Sequence, residues 1–306
     1  MRILVVGAGA TGGFFGARLV RADRDVTFLV RPGRAAVLRE RGLRITGLGE
    51  DEVLEPNLVT AAELAEPYDL VLLSVKATAL ERALDDLAPA VGPRTVIVPF
   101  LNGMAHLDTL STKFGKESVL GGVVKVMTTV NGDGDIVRLG PLGELLIGEP
   151  DGGTSPRTEE LAKELDVAGY DFTLSPDILA EMWHKWAFIA SLAAATCLMR
   201  GSVGDIVAVA GGAEFGRAIA AEAAAVVAAA GFPLAAKALA ATTSLLTQEG
   251  SPATASMYRD LVTGQPAEVE QILGDLVSRA RELSVDTPLL DVATLHLRVH
   301  ERRAAA

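Results

Sequence analysis

Along the first hundred residues, short apolar runs alternate with stretches whose apolar positions recur every three or four residues. The runs Ile3–Val6, Val26–Val30, Leu70–Val75 and Thr95–Val98 are rich in Val, Ile and Leu and have the length of buried strands. Between them, the segments around Phe14–Arg21, Arg34–Arg41 and Leu80–Leu87 carry the helical period. Such alternation predicts a parallel sheet with crossover helices. A second strand-rich stretch follows at Val119–Thr129, Asp135–Leu139 and Glu144–Ile147, with turns expected at NGDGD (131–135) and PLG (141–143). Beyond Ser175-Pro176-Asp177, which reads as a helix start, no strand-like run of any length recurs. Helical segments reach the end, broken near Gly201, Gly211-Gly212, Gly231-Phe232-Pro233, Gly250 and Gly264. The pattern divides the chain near residue 174, giving an α/β domain over 1–174 and an all-helical domain over 175–306. Ala304–Ala306 are expected to fray.

Composition agrees with two compact domains: of 306 residues, 49% are hydrophobic and 22% charged. Ile3–Val6 is too short for the apolar core of a secretory signal. The longest apolar stretch, Ile219–Phe232, is alanine-rich, is interrupted by Glu222 and falls short of a bilayer span, so no membrane segment is expected. The net charge of −11, from 28 basic and 39 acidic residues, argues against a nucleic-acid partner. Any anionic ligand must instead be met by local positive charge. Cys197 stands alone, which excludes an internal disulfide or thiolate cluster and points to a reducing, cytoplasmic setting. His106, His184, His296 and His300 show no metal-ligating spacing, and no metal is expected.

The candidate chemistry begins where the first strand ends. Gly7, Gly9 and Gly12 fit G-x-G-x-x-G, and here the motif follows an apolar strand, opens a helix and leads to a second strand. In that context Gly7 permits the tight turn, Gly9 lets a pyrophosphate approach the backbone, and Gly12 lets helix and strand pack closely. Ala10 and Thr11 stand in the same loop, at a helix N-terminus with free N–H donors. A plain strand-to-turn junction is the alternative. The first half thus reads as a Rossmann-type doubly wound sheet. Its second strand ends in Arg31, where an NAD site usually places a carboxylate for the ribose 2′-hydroxyl. Arg31, with Arg34 three residues on, suits a 2′-phosphate through its planar donor fork, which favours NADPH. An ordinary solvated arginine after a strand would look the same.

These residues, together with SVKA at 74–77, NGM at 102–104, EMWHK at 181–185, SMYRD at 256–260 and AEVE at 267–270, resemble the ketopantoate reductase family. Members reduce 2-ketopantoate to pantoate with NADPH on the path to pantothenate, and the resemblance spans nearly the whole chain. It implies Lys185 as the general acid. A lysine in a partly closed apolar cleft can have its pKa lowered toward neutrality, and even when charged it polarises a carbonyl. Flanked by Trp183 and Trp186, the chain's only two tryptophans, Lys185 is not expected on plain solvated surface. The resemblance further implies Asn102 at both nicotinamide and substrate, Lys76 near the cofactor, and Ser256 with Glu268 as a substrate-binding pair, Glu268 being counted with the catalytic residues. Read without the family, Asn102-Gly103 is a turn and the others are ordinary surface or helix residues.

The chain departs from the family on one helix face. Members usually carry asparagines four and eight residues after the lysine, and here those positions are Ile189 and Ala193, leaving Thr196 as the next polar candidate on that face. An apolar face accepts hydrophobic groups with weak selectivity. Three readings therefore stand: a ketopantoate reductase, a reductase of the same scaffold acting on a less polar 2-oxo acid or ketone, and an inactive NADPH-binding sensor. Retention of both Lys185 and Glu268 argues against the last. A homodimer and a monomer are both compatible with the helical half.

Overall fold

In chain order the elements are β1 (Arg2–Val6), α1 (Ala10–Arg21), β2 (Asp25–Leu29), α2 (Pro32–Arg41), β3 (Leu43–Gly47), β4 (Glu50–Leu54), β5 (Asn57–Val59), β6 (Leu70–Leu73), α3 (Leu80–Leu87), β7 (Val96–Pro99), α4 (Ala105–Phe114), β8 (Gly121–Val130), β9 (Ile136–Gly148), α5 (Pro156–Leu165) and β10 (Asp171–Leu174). The helices α6 (Ile178–Met199), α7 (Val203–Val207), α8 (Gly212–Ala229), α9 (Ala236–Leu246), α10 (Ser256–Val262), α11 (Asp275–Glu282) and α12 (Pro288–Ala304) follow. The computed structural model describes residues 1–304; the remainder of the expected frayed end, Ala305 and Ala306, lies outside the described residues. The chain forms two compact units, Met1–Leu101 with His106–Leu179, and Asn102–Ala105 with Ala180–Ala306.

In the first unit a five-stranded parallel sheet has the order β5-β2-β1-β6-β7, with β1 at its centre paired to β2 and β6. Because side chains alternate along a strand, β1 serves two cores. Ile3 and Val5 pack with Phe14, Phe15, Phe28, Leu70 and Leu72 on one face, while Leu4 and Val6 pack with Val71, Leu73, Leu80, Leu84 and Leu110 on the other. Both faces are covered, as a continuous apolar run requires. A second, mixed sheet has the order β10-β9-β3-β4, with β8 antiparallel to β9.

The doubly wound sheet and the helical second half are as the sequence pattern predicts, but one expected turn is absent. The expected strands Asp135–Leu139 and Glu144–Ile147 merge into one strand, β9, which begins at Ile136 and runs through PLG. β3 pairs with β9 only at Ile136 and Val137, and β10 only at Glu144–Ile147. Between them the β8 partner shifts register from Val126 to Thr128, so Pro141 lies in a bulge where its missing N–H interrupts no ladder.

In the second unit, α8 buries Gly212, Gly216, Ile219, Ala220, Ala223, Val226 and Val227, a stripe at helical spacing. Glu222, the charge within the alanine-rich run, accepts hydrogen bonds from the Leu289 N–H at 3.0 Å and the Leu290 N–H at 3.0 Å, and so caps the N-terminus of α12.

Candidate active site

The cofactor candidates gather at the carboxyl ends of the parallel strands, where open α/β sheets bind ligands. A cavity of about 710 Å³ is lined there by Gly7, Gly9, Arg31 and Lys76 of the expected set, and by Arg34, Ser74 and Val130. Gly7 has φ +99°, and a Cβ there would come within 2.5 Å of the Ser74 carbonyl oxygen, so no other residue fits this turn. At Gly12 a Cβ would lie 2.2 Å from the Gly7 oxygen, which lets α1 start hard against the strand end. Around Gly9 the space is open, with nothing within 4 Å of a built Cβ. Gly9 is also the N-cap of α1, without a side-chain cap, so the first-turn N–H groups of Ala10 and Thr11 are left to an incoming anion. An uncapped helix end beside open space fits a dinucleotide pyrophosphate.

Positive charge is local, as an acidic chain demands. Arg31 and Lys76 are exposed at this cavity, and Arg34 is half-buried in its wall. Burial draws the Arg34 pKa down, against a weaker opposing pull from Asp135. Sequence reading did not flag Arg82 or the wall residues Thr60, Ala61 and Ala62, which line the same cavity from segments that carry no motif.

The residues expected to act on a substrate, Asn102, Lys185, Ser256 and Glu268, all belong to the second unit. A helix starting at Val269 widens into a π turn over Glu270–Gly274 before α11. Three distant parts of the chain, at Trp186, Gly103 and Arg298, attach to it, and Glu268 directly precedes it. Trp186, next to Lys185 on α6, donates its indole N–H to the Ile272 carbonyl at 2.9 Å. Gly103, next to Asn102, has φ +78° and sits so close that a Cβ would lie 2.4 Å from the Gln271 carbonyl oxygen. Glu268 accepts the Ile272 N–H on its backbone oxygen at 3.1 Å. Arg298 of α12 clamps Glu270 through two bonds of 2.6 Å, and this pairing holds the Glu270 carboxyl below its usual range. Such π turns recur at functional sites, where they free backbone carbonyls from the regular ladder.

Lys185 is half-buried between two anchors: Trp186 is 1% exposed, and Trp183 stacks on Phe232 at 5.9 Å. Asn102 and Glu268 are half-buried, while Ser256 is exposed at the start of α10. Asn102 also stands among the expected cofactor residues, but it belongs to this unit and does not line the glycine-loop cavity. Ile189 is half-buried one turn beyond Lys185, and Ala193 is buried. Thr196 does not supply the polar group expected of it. Fully buried, it donates to the Leu192 carbonyl at 2.7 Å and accepts the Ala255 N–H at 3.4 Å, which anchors the residue before Ser256. Among the described residues, no cluster of His, Cys, Asp or Glu is arranged to hold a metal ion, and no helix is long and apolar enough to cross a membrane.

A glycine loop at the switch of a parallel sheet, carried in one chain with a helical unit that bears a half-buried lysine and glutamate, defines an oxidoreductase of the nicotinamide-nucleotide class. The sequence matches the family described as Ketopantoate reductase PanE/ApbA over residues 3–152, and its C-terminal part over residues 177–301. The chain belongs to this family. It is 31% identical to the uncharacterized oxidoreductase YkpB of Bacillus subtilis, covering 98% of this chain and 99% of that protein. Among solved structures, 2-dehydropantoate 2-reductase from Methylococcus capsulatus matches with a TM-score of 0.87 at 30% identity, over 100% of this chain and 98% of that one. D-mandelate dehydrogenase in a ternary structure with NADH and anilino(oxo)acetate shares the fold at a TM-score of 0.89, at 22% identity and over the whole of both chains.

Proposed function

We propose that this chain reduces a 2-oxo acid with NADPH, and that 2-dehydropantoate, giving pantoate, is the first candidate substrate. The carrying observation is the convergence of the neighbours of Asn102 and Lys185 on one π turn, Glu270–Gly274, which Glu268 precedes. The domain over 1–174 holds the nucleotide and the domain over 175–306 acts on the substrate, in a cytoplasmic setting.

When bound, NADPH supplies a hydride. Lys185 donates the proton to the carbonyl oxygen as that oxygen gains electron density, so a ketone plus hydride and proton becomes an alcohol. Ser256 and Glu268 hold the polar groups of the substrate, and Asn102 orients its carbonyl; this positioning supplies much of the rate. Gly7, Gly9, Gly12 and the first-turn N–H groups of Ala10 and Thr11 cradle the pyrophosphate, while Arg31 and Lys76 supply cationic charge. The absence of a carboxylate at the end of β2, where Arg31 stands, supports NADPH over NADH.

Steady-state NADPH consumption with 2-ketopantoate tests the proposal, run on the wild type beside Lys185→Ala with NADH as cofactor control. Turnover that needs Lys185 and prefers NADPH supports it. Binding of NADPH with no turnover of any 2-oxo acid overturns it in favour of a nucleotide sensor. A second reading, a less polar 2-oxo acid as substrate, is favoured by Ile189, an apolar group one helical turn from Lys185.

A further inference from the structure

Trp183 and Trp186 lie one turn apart on α6, so their side chains share a face of the helix. Lys185, one position before Trp186, leaves the helix about 100° around from it. The two indoles form a tilted pair with ring centroids 5.1 Å apart. Each is tied to a different part of the unit. Trp183 stacks on Phe232, whose carbonyl also accepts a hydrogen bond from His184 Nε2 at 3.1 Å, while Trp186 bonds to Ile272 in the π turn.

About two turns beyond Ile272, Arg279 of α11 lays its guanidinium over both rings. It stands 5.7 Å from the Trp183 centroid and 5.8 Å from that of Trp186. Its Nε donates to Asp275, one turn back on the same helix, at 3.0 Å. The arginine is half-buried, and the indoles it covers are 5% and 1% exposed. An apolar side chain would fill such a cluster at less desolvation cost, because a half-buried ion pair contributes little net stability. What the planar cation adds is orientation: it is attracted to both rings and, anchored by Asp275, holds them in one arrangement.

The geometry points to Arg279 as a positioning residue for Lys185. By locking Trp183 and Trp186 it sets the rotation of α6, and that rotation aims the lysine ammonium at the carbonyl oxygen it protonates. This role rests on Lys185 acting as the acid, as proposed above.

Steady-state kinetics with NADPH and either ketopantoate or phenylglyoxylate tests it, together with the near-ultraviolet circular dichroism of the chain's two tryptophans. Arg279→Gln should lower kcat about tenfold, leave KM and NADPH affinity within about twofold, and change the tryptophan dichroism. In a Lys185→Ala background the same substitution should lower the residual rate, measured with enzyme in excess, by less than about twofold, since the two residues act as a unit. Arg279→Lys keeps the charge but loses the planar stack. It should show the same fall in kcat, and it carries the comparison if Arg279→Gln folds poorly. Altered dichroism with unchanged kcat would confine Arg279 to packing and overturn the inference, as would an equal loss of rate with and without Lys185. A Lys185→Ala variant as fast as the wild type overturns the acid assignment itself, and a wild type that turns over no 2-oxo acid overturns the reductase reading on which both depend.

Discussion

The Trp186 indole N–H donates to the Ile272 carbonyl at 2.9 Å, tying the helix of Lys185 to the π turn that follows Glu268. The bond is buried, with Trp186 1% and Ile272 3% exposed. It restrains the rotation of α6, the helix that carries Lys185.

Trp186→Phe should therefore do more than loosen the core. Loss of a buried hydrogen bond and of ring volume should cost about 1–3 kcal/mol, read from urea unfolding. If the bond also sets Lys185, kcat should fall while NADPH affinity stays as in the wild type. A loss of stability with unchanged kcat would confine Trp186 to packing.

Gly9 and Gly12 predict opposite outcomes for the same substitution. A Cβ at Gly12 would lie 2.2 Å from backbone, so Gly12→Ala should destabilise the fold by several kcal/mol or prevent it. Gly9 has φ −89° and ψ −164°, which alanine adopts freely, and its Cβ would meet nothing within 4 Å. Gly9→Ala should leave the melting temperature unchanged and weaken NADPH binding, since the added methyl occupies the approach of the pyrophosphate. Thermal melts and NADPH titration of both variants check the pair.

How far the sequence reveals this molecule depends on where its determinants lie. β1, β2, β6 and β7 are legible because strands buried on both faces must be apolar throughout. β4 is not, since Glu50-Asp51-Glu52 has poor strand propensity and is held by pairing to β3. β9 is misread at Pro141, because the bulge that tolerates a proline is a property of the pairing with β8. The glycine loop is legible as a local motif, whereas the π turn gathers residues near 102, 186 and 272 and has no local signal. Thr196 is misjudged for a related reason: helical spacing gives a face but not what covers it.

Glu50 joins the second sheet to the helix of the glycine loop. It accepts from Arg18 of α1 at 2.5 Å and from Arg138 of β9 at 2.5 Å, and both guanidinium groups lie over the Phe14 ring. Burial tends to raise the Glu50 pKa, but the two arginines outweigh it and hold the carboxyl below its usual range. A depressed folded pKa stabilises the protein above the unfolded value of about 4.3, and that contribution disappears as pH falls through the folded pKa. Unfolding free energy measured from pH 6 downward should therefore decline in acid, and Glu50→Gln should be less stable at pH 6 with a shallower acid decline. An equally steep decline in Glu50→Gln would assign the acid sensitivity to other carboxylates.

Ile189 offers the sharpest test of substrate choice, because it stands one turn from Lys185 where the family usually has an asparagine. An amide there would give a polar substrate a hydrogen-bond partner and would leave a buried polar group unpaired against an apolar one. Sites that hydrogen-bond a hydroxyl discriminate far more strongly than apolar sites do. Ile189→Asn should therefore raise kcat/KM for ketopantoate and lower it for an aryl 2-oxo acid, changing their ratio by about tenfold or more. The change should appear mainly in KM if the amide holds the substrate equally in ground and transition states, and in kcat if it acts only as the hydride arrives. Weaker turnover of ketopantoate in Ile189→Asn would show that the isoleucine packs the site rather than selecting the substrate.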